Sequence, residues 1–472
     1  AISMVYNRWE RKEIKPIQFT IETVVTLLFG GLCLGIMRTT NTWDLPTYLG
    51  LIFAGITYTI FQYGEPPQRF FPQWTLWLRK ALYIFFIIAF LMVVSSIFFL
   101  PFSQYYAQAY GSIDRWTGDH SPLGSYLVHW GLPLFLIVSW FVWETREWLA
   151  ATPASSLKKV KPYLVYLQIL TMLFAAILIL LTILGIKIGW LVGLLAVWDL
   201  VLLMRPGQTD QKRIVQFMIG TALVLTLFVE LFVLVGDIGR MNTVFKFYYQ
   251  AWTLLSISAA AALFWLIPAV KTIWKEGVVS IWQVTLAIFL VGACLYPLTA
   301  ATDKIRDRMS DLTPRTLDGL EFMKTSTYAD MDRLMDLNQD YKAIEWMRLN
   351  VEGSPVIVEA NTVEYRWGNR FTINTGLPGV LGWNWHQRQQ RGFLAYNGIA
   401  SRLTEIPEFY LTTDIDDAVA FLEKYDVRYI ILGQLERLYY SGAGLDKFEL
   451  YDGWHWREVF RFEDTVIYEV VD

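Results

Sequence analysis

The sequence predicts a polytopic α-helical membrane protein, with about nine transmembrane helices in residues 17–300 and an extracytoplasmic α/β domain in residues 301–472. Two observations lead to this fold class. The chain is 54% hydrophobic and 18% charged, whereas soluble domains carry about 25% charged residues. The apolar residues form long runs before residue 300, and the charged residues are concentrated after it.

The apolar runs have the length that a membrane requires. A helix crosses the hydrocarbon core of a bilayer with roughly 20 apolar residues. Runs of this kind occur at about 17–37, 46–63, 81–101, 126–143, 164–184, 188–204, 214–235, 252–270 and 281–299. None of them alternates as the strands of a membrane barrel do, so the runs predict helices.

Lysine and arginine are distributed unevenly between the connections. The tail of residues 1–16 and the second, fourth, sixth and eighth connections carry most of them. Because cytoplasmic segments are enriched in Lys and Arg, the tail is predicted to be cytoplasmic. An odd number of crossings then places the C-terminal domain outside the cytoplasm, in a multi-pass protein of the plasma membrane.

Composition also limits the ligands and partners. The net charge of −3 gives no reason to expect a nucleic-acid partner. Cys33 and Cys294 lie in apolar runs, so no disulfide is expected. Four histidines without clustered cysteines offer no local zinc-binding spacing. No metal ligand and no cofactor is therefore assigned, and a requirement for a divalent metal ion is left open.

The predicted outward connections differ from the inward ones, which read as basic linkers. Residues 38–48, 103–126 and 236–252 bring acids, amides and aromatics to one membrane face. This layout suits an amphipathic substrate, whose head group meets polar side chains at the interface. The polar residues concerned are Asn41, Asp44, Asp114, Asp119, His120, Asp237, Arg240, Asn242 and Lys246.

Several of these residues also have a simpler interpretation. Asp44, which precedes Leu-Pro, could cap the N-terminus of the next helix. Asp119 and His120 could form a surface turn. Arg240 and Lys246 could reach lipid phosphates without specificity.

Glu230 lies inside an apolar run, about one and a half helical turns from its predicted outward end. An ionisable residue at such a depth is costly and usually faces a partner or a wet cavity. Arg240 or Lys246 is the partner expected from the sequence. Asp199 is in a similar position nearer the predicted cytoplasmic end.

Residues 301–472 show alternating helix and strand patterns. The polar stretch 301–340 is predicted to be helical in part. Helices are predicted at 341–351 and 415–424, strands at 355–360 and 428–432, and a closing hairpin around Glu463 and Asp464. This alternation is typical of a small α/β domain.

Residues 370–392 stand out within this domain. They combine three glycines with Trp383, Trp385, His386, Arg388 and Arg391. Aromatic faces suit sugar rings, and arginine forks suit phosphate or carboxylate groups. The alternative is a Gly-rich loop that its tryptophans pack onto the domain surface.

Three segments in this order, NTWDLPTY, GRMNTVFKFYYQAW and TGLPGVLGWNWHQRQQRG, resemble the C-terminal half of a poorly characterised membrane protein family. That family occurs in archaea and Chloroflexi and is named for a Tyr-Tyr-Tyr motif. It is similar to the GT-C membrane glycosyltransferases, which use polyprenyl-phosphate sugars on the extracytoplasmic face. The resemblance covers most of residues 17–440 and implies a GT-C-like fold.

The chain departs from the family in one respect. It lacks the Glu-Lys-Pro-Met segment and the Tyr-Tyr-Tyr-x-Gly motif of the family's N-terminal half. Three explanations are open: this half belongs to a longer polypeptide, a partner subunit supplies it, or catalysis has been lost.

The resemblance implies site roles for residues already singled out. Asp44 and Glu230 are the candidate catalytic carboxylates, Glu230 by orienting the cations. The candidate ligands of lipid phosphate are Asn41, Asp237, Arg240, Asn242 and Lys246. The candidate contacts for the acceptor or the sugar are Trp383, His386, Arg388 and Arg391. The expected partners are membrane lipid, a polyprenyl-phosphate sugar donor and the subunit that would supply the missing half.

Two functions outside this class remain open. One is a non-catalytic structural or assembly subunit of a larger membrane complex, which the missing motifs favour. The other is a transporter of lipids or solutes, to which Glu230 and Asp199 would contribute buried charge. The sequence shows no internal repeat, although repeats are common in transporters.

Overall fold

The computed structural model describes residues 15–16, 20–65, 75–106, 111–153, 155, 161–391 and 398–471. These residues form two compact units. The first ends at Leu295, and the second comprises the residues from Tyr296 onward together with residues 105–106. The predicted cytoplasmic tail lies outside the described residues except for residues 15–16, and so do Arg69, Lys158 and Lys159. The predicted orientation depends on these cations and stays a prediction.

The first unit is a bundle of α-helices. In the described part of the chain, eight helices are long and apolar enough to cross a membrane, and one apolar helix is shorter. In chain order the nine are α1 (Ile21–Thr40), α2 (Asp44–Tyr63), α3 (Leu76–Phe98), α4 (Leu123–Ala151), α5 (Leu164–Ile183), α6 (Gly189–Leu203), α7 (Asp210–Leu231), α8 (Met241–Thr272) and α9 (Glu276–Leu295). The polytopic helical class predicted from the sequence is confirmed.

The shorter helix, α6, corrects the expected number of full-length spans. It has 15 residues, which at 1.5 Å per residue extend about 22 Å, less than the roughly 30 Å of the hydrocarbon core. The apolar run at 188–204 has enough residues for a short membrane span. The helix is shorter than this run, because Ile188 and Met204 are its caps.

Two helices are longer than their apolar runs. The run at 252–270 belongs to α8, which begins at Met241, and the run at 126–143 belongs to α4, which ends at Ala151. Hydrophobicity marks only the part of a helix that lies in hydrocarbon, whereas polar residues continue the helix into the interface. Asn242 and Lys246 are therefore helical residues, and not loop residues as predicted.

The core of the first unit is rich in aromatic residues. Trp130, Trp140 and Phe141 of α4 are fully buried. They belong to a cluster that α6, α7 and α8 complete. A short antiparallel ladder joins β1 (Ile113–Arg115) to β2 (Phe232–Leu234). It lies where α7 ends and α8 begins, which we call the predicted outward end. The end where α6 ends and α7 begins is the predicted inward end.

The second unit is an α/β domain around a four-stranded sheet. It begins with a π-helical turn (Tyr296–Ala300), α10 (Ala301–Arg308) and a hairpin of β3 (Thr327–Asp330) and β4 (Arg333–Asp336). The remaining elements are α11 (Leu337–Asn350), β5 (Val356–Val358), α12 (Arg370–Thr375), α13 (Asn384–Arg391), α14 (Ile399–Leu411), α15 (Ile415–Tyr425), β6 (Val427–Leu432), α16 (Gln434–Tyr439), α17 (Lys447–Leu450), β7 (Trp456–Phe462) and β8 (Thr465–Val470).

The sheet has the order β5–β6–β8–β7, in which β5 and β6 are parallel and the other pairs are antiparallel. All but one residue of β6 are buried, because this apolar strand is covered on both faces. The predicted helices at 341–351 and 415–424, both predicted strands and the closing hairpin all correspond to elements of this unit.

Residues 370–391 contain α12, α13 and, between them, a stretch at 376–383 that holds all three glycines. Gly376 ends α12 with a φ of 78°. Glycine accepts this left-handed conformation without the strain that a Cβ would cause. The glycines of this segment therefore end and connect short helices.

Candidate functional site

The carboxylate of Glu230 is completely buried near the end of α7. It accepts hydrogen bonds from the backbone N–H of Ser121 at 3.0 Å and from the Ser121 hydroxyl at 2.6 Å. Nδ1 of His120 lies 3.3 Å from Oε2, and Nη1 of Arg240 lies 3.0 Å from Oε1. Arg240 is thus the partner of Glu230 that the sequence led us to expect.

Arg240 is held from several sides. Its guanidinium donates to the carbonyl of Val229 at 2.7 Å and to the Ser121 hydroxyl at 3.2 Å. It also lies over the ring of Trp116, 5.2 Å from the centroid. The Trp116 indole N–H donates to the carbonyl of Asp119 at 3.0 Å. The side chain therefore sits in a built pocket and does not extend freely toward lipid.

Asp237 organises the start of α8. Its carboxylate accepts from the backbone N–H groups of Asn242 at 3.1 Å and Thr243 at 2.8 Å, and from both side chains. Gly236 and Gly239, with φ of 88° and 61°, make the turns around it. A carboxylate on the first N–H groups of a helix satisfies donors that have no intrahelical acceptor. The Asp237–Asn242 contact is therefore part of a helix cap.

A second cluster forms where α2 begins. The amide of Asn41 donates to Asp44 at 2.9 Å, and the amide of Gln250 donates to the carbonyl of Trp43 at 3.1 Å. The Asp44 carboxyl also interacts with the Gln250 side chain and with the charge of Lys246. Because Lys246 precedes Gln250 by four residues, both lie on the same face of α8. Asp44 is the first residue of α2, whose N-cap position is occupied by Trp43.

Lys246 links the cluster around Asp44 to the helix cap that Asp237 forms. It interacts with the charges of both Asp44 and Asp237. The first unit thus brings together all seven candidate residues that the sequence assigned to it, in two groups. Glu230 and Arg240 form one group, and Asn41, Asp44, Asp237, Asn242 and Lys246 form the other.

Three contributing residues were not predicted. Ser121, Trp116 and Gln250 each supply a hydrogen bond or a ring to these groups. A fully buried carboxylate needs several donors, but the sequence contained no signal that singled out Ser121, a neutral residue near the end of the connection 103–126. His120, which could have been a turn residue, has its ring nitrogen at Glu230.

The candidate residues of the second unit lie on or beside α13. The rings of Trp383 and His386 are 5.4 Å apart, and the ring of Tyr365 lies 5.3 Å from the first and 5.7 Å from the second. Tyr365 is 75% exposed and adopts a left-handed φ of 66°. Arg388 donates to Asn384 at 2.6 Å. Arg391 is exposed at the end of the helix. These residues form an exposed aromatic surface with cations beside it.

A buried ionic cluster lies behind the same segment. Arg370 contacts Asp340 at 2.7 Å and Glu436 at 2.8 Å, with Glu359 at 3.8 Å. Burial raises the pKa of Asp340 and Glu359. Burial would also raise the pKa of Glu436, but the Arg370 guanidinium and two backbone N–H groups hold it below its usual range. This cluster fixes α12 against the sheet edge.

The described residues contain no group of three or more His, Cys, Asp or Glu side chains that could hold a metal ion. The carboxylates of the first unit are instead engaged by arginine, lysine, amide and hydroxyl groups.

Comparison with known proteins gives a family. Residues 1–255 match the family described as uncharacterized membrane protein (DUF2298). The chain belongs to this family. The matched residues include the first two of the three segments on which the sequence resemblance rests, and the third lies beyond them. No curated protein matches the chain.

The solved structures that are similar to a part of the chain include the C-terminal globular domain of an oligosaccharyltransferase from Archaeoglobus fulgidus, with 16% identity and a TM-score of 0.20. The match covers 28% of this chain and 96% of that domain. A TM-score of this size does not establish a common fold.

Proposed function

We propose that this protein is an integral-membrane glycosyltransferase, or the C-terminal part of one, that uses a polyprenyl-phosphate-linked sugar at the predicted outward end. One observation carries the proposal. Asp44 and Lys246, which are 202 positions apart, lie within electrostatic reach of each other where α2 and α8 begin. A carboxylate beside a cation at the membrane interface is what transfer from a lipid phosphate requires.

The carboxylate of Asp44 acts as the general base in this proposal. It takes the proton of an acceptor hydroxyl, whose oxygen attacks the anomeric carbon of the sugar. The bond between that carbon and the phosphate oxygen breaks, and polyprenyl phosphate leaves with the electron pair. Asn41 and Gln250 hold the base through hydrogen bonds, so that it faces the bundle.

Lys246 and Arg240 are the cations that bind the lipid phosphate. The charge on the leaving phosphate grows during transfer, so cations fixed before the reaction stabilise the transition state more than the ground state. Glu230 keeps Arg240 in position through the 3.0 Å contact. A positioning role suits Glu230 better than that of a base, because its carboxylate is fully buried and accepts from several donors. Asp237 and Asn242 set the start of α8 that carries Lys246.

The acceptor or its sugar contacts the exposed aromatic surface of the second unit. Trp383 and His386 offer ring faces, and Arg388 and Arg391 offer donors for anionic groups. Tyr365, which was not predicted from the sequence, contributes a third ring beside Trp383 and His386. The extracytoplasmic position of this unit is part of the proposal.

Transfer of a radiolabelled sugar from its polyprenyl phosphate to a lipid or peptide acceptor tests the assignment in proteoliposomes that contain the full chain. Lys246→Ala and Arg240→Ala are expected to lower transfer by at least about a hundredfold, the effect of losing a preorganised charge contact. Arg115→Ala is the matched control, because Arg115 is an exposed cation of another connection at the same predicted outward end. Unchanged transfer by both variants, or an equal loss in the control, would remove the proposal.

A second candidate is a non-catalytic subunit of a larger membrane complex. The observation that favours it is the saturation of Glu230 and Asp237, whose hydrogen bonds hold the fold together. Purification from native membranes with a stoichiometric partner, and transfer activity only in the presence of that partner, would support this function.

A further inference from the structure

Cations also cluster at the predicted inward end. Where a helix carries both these residues and residues of the proposed function, the two sets lie toward opposite ends of the helix. Glu144 of α4 is buried there and accepts from Nη1 of Arg205 at 2.8 Å. The ammonium of Lys212 and the indole of Trp140 donate to its other oxygen. One buried carboxylate therefore accepts hydrogen bonds from two cations.

A third cation adjoins this group without a carboxylate of its own. Arg213 donates to the Tyr58 hydroxyl at 3.0 Å and to the carbonyl of Arg205 at 3.1 Å. Asp210, the nearest acid in sequence, is bound by the hydroxyls of Tyr58 and Tyr63. Among the described residues, Arg213 forms no ion pair with a carboxylate. Arg205, Lys212 and Arg213 therefore exceed Glu144 and Asp210 by one positive charge.

Several guanidinium N–H groups at this end are buried without an acceptor in the described part of the chain. They are Nε of Arg213, Nε of Arg205, and Nε and Nη1 of Arg79. Arg79 belongs to the start of α3, where Lys80 donates to the carbonyl of Phe61 at the end of α2. A buried donor without an acceptor is costly. Three arginines at one end of a bundle have N–H donors without an acceptor. This arrangement indicates a binding site for an anion with several oxygen atoms.

We propose that the predicted inward end binds the phosphate of an anionic phospholipid, with Arg213 as its principal ligand and Arg205 and Arg79 beside it. Guanidinium groups donate to phosphate in a bidentate manner. Basic pockets between helices at the cytoplasmic interface suit lipid head groups. The aromatic side chains of Tyr58 and Trp265, over which Arg213 and Lys212 lie, are typical of that interface. This site does not depend on the glycosyltransferase proposal.

Native mass spectrometry of the purified full chain tests this site. The protein in detergent micelles is titrated with phosphatidylglycerol, phosphatidylcholine or inorganic phosphate. The wild type is expected to bind one phosphatidylglycerol about tenfold more tightly than phosphatidylcholine, with inorganic phosphate a poor competitor. Arg213→Gln is expected to lose this preference. Arg146→Gln should keep it, because Arg146 belongs to the same end of α4 but its side chain is 59% exposed and pairs with Glu147.

Three results would overturn the proposal. They are equal binding of the two lipids by the wild type, a full preference in Arg213→Gln, and competition by inorganic phosphate at the concentration of the lipid, which would indicate a site for free anions. If Arg213→Gln does not fold, Arg213→Lys retains the charge and removes the fork. A several-fold loss of preference in Arg213→Lys supports the site, and an unchanged preference contradicts it.

Discussion

The two units hold an arginine that is buried or partly buried in different ways. In the first unit the partly buried Arg240 donates to one carboxylate, Glu230, and to the hydroxyl of Ser121, which in turn donates to Glu230. In the second unit Arg370 meets three carboxylates, Asp340, Glu359 and Glu436. The first arrangement is neutral, as a membrane interior requires. The second has more acids than cations, and this excess is tolerated when some carboxyls keep their protons.

The comparison predicts that Arg370 is the most sensitive of these residues. Arg370→Ala would leave three buried acids without their cation, and we expect a loss of about 3–5 kcal/mol in the free energy of unfolding of the second unit. Hydrogen exchange of β6 in the full chain measures this. Arg366→Ala serves as the control, because Arg366 is about half exposed and its partner Asp330 keeps the hydrogen bond from the Tyr439 hydroxyl. A small effect of Arg370→Ala would mean that the carboxyls are already neutral.

Glu230→Gln is expected to have the next largest effect, a loss of about 2–3 kcal/mol, because it leaves a partly buried guanidinium without its counter-charge but keeps an acceptor. Thermal unfolding in detergent, followed by helical circular dichroism, gives the measurement. Glu22→Gln on α1 is the same substitution at an exposed position and should change nothing. The double variant Glu230→Gln, Arg240→Gln should lose less than the sum of the single variants. If the losses of the two single variants simply add up in the double variant, Glu230 and Arg240 are not coupled.

The pH dependence of the second unit gives the smallest and sharpest test. A carboxyl whose pKa is raised on folding stabilises the folded unit while it is protonated, and this contribution is lost as pH rises through the raised value. The raised pKa values of Asp340 and Glu359 therefore predict that stability increases as pH falls from the raised values toward the unfolded values of about 4. Each tenfold difference between the folded and unfolded dissociation constants of such a carboxyl contributes about 1.4 kcal/mol.

Lys447 and Glu436 do not produce this slope. Burial lowers the pKa of Lys447 to about 8, so this lysine stays protonated, and the lowered pKa of Glu436 acts only below about pH 4. Hydrogen exchange of β6, measured at each pH, reports the stability of the unit. Its dependence on pH should become weaker in Asp340→Asn but not in Asp332→Asn, since Asp332 is exposed. A slope of the opposite sign would show that the carboxyls are charged in the folded unit.

The sequence predicted the membrane helices well, because hydrocarbon selects apolar residues over a fixed length. It could not show that α8 begins at Met241, since polar residues at an interface are compatible with helix and loop alike. The partner of Glu230 was predictable because burying an unpaired charge costs free energy, so that a buried carboxylate needs a cation beside it. Ser121 was not, because a neutral donor leaves no charge pattern. Arg370 was missed for a related reason: three acids distant in the sequence bury it, and only the fold brings them together.

The shortness of α6 has a consequence for the bilayer itself. Leu194, Leu200 and Val201 on this helix are exposed, so lipid tails adjoin a helix about 7 Å shorter than the hydrocarbon thickness. Lipids accommodate such a mismatch by thinning. The membrane should therefore be dimpled beside α6, with head groups and water drawn toward the depth at which Asp199 lies.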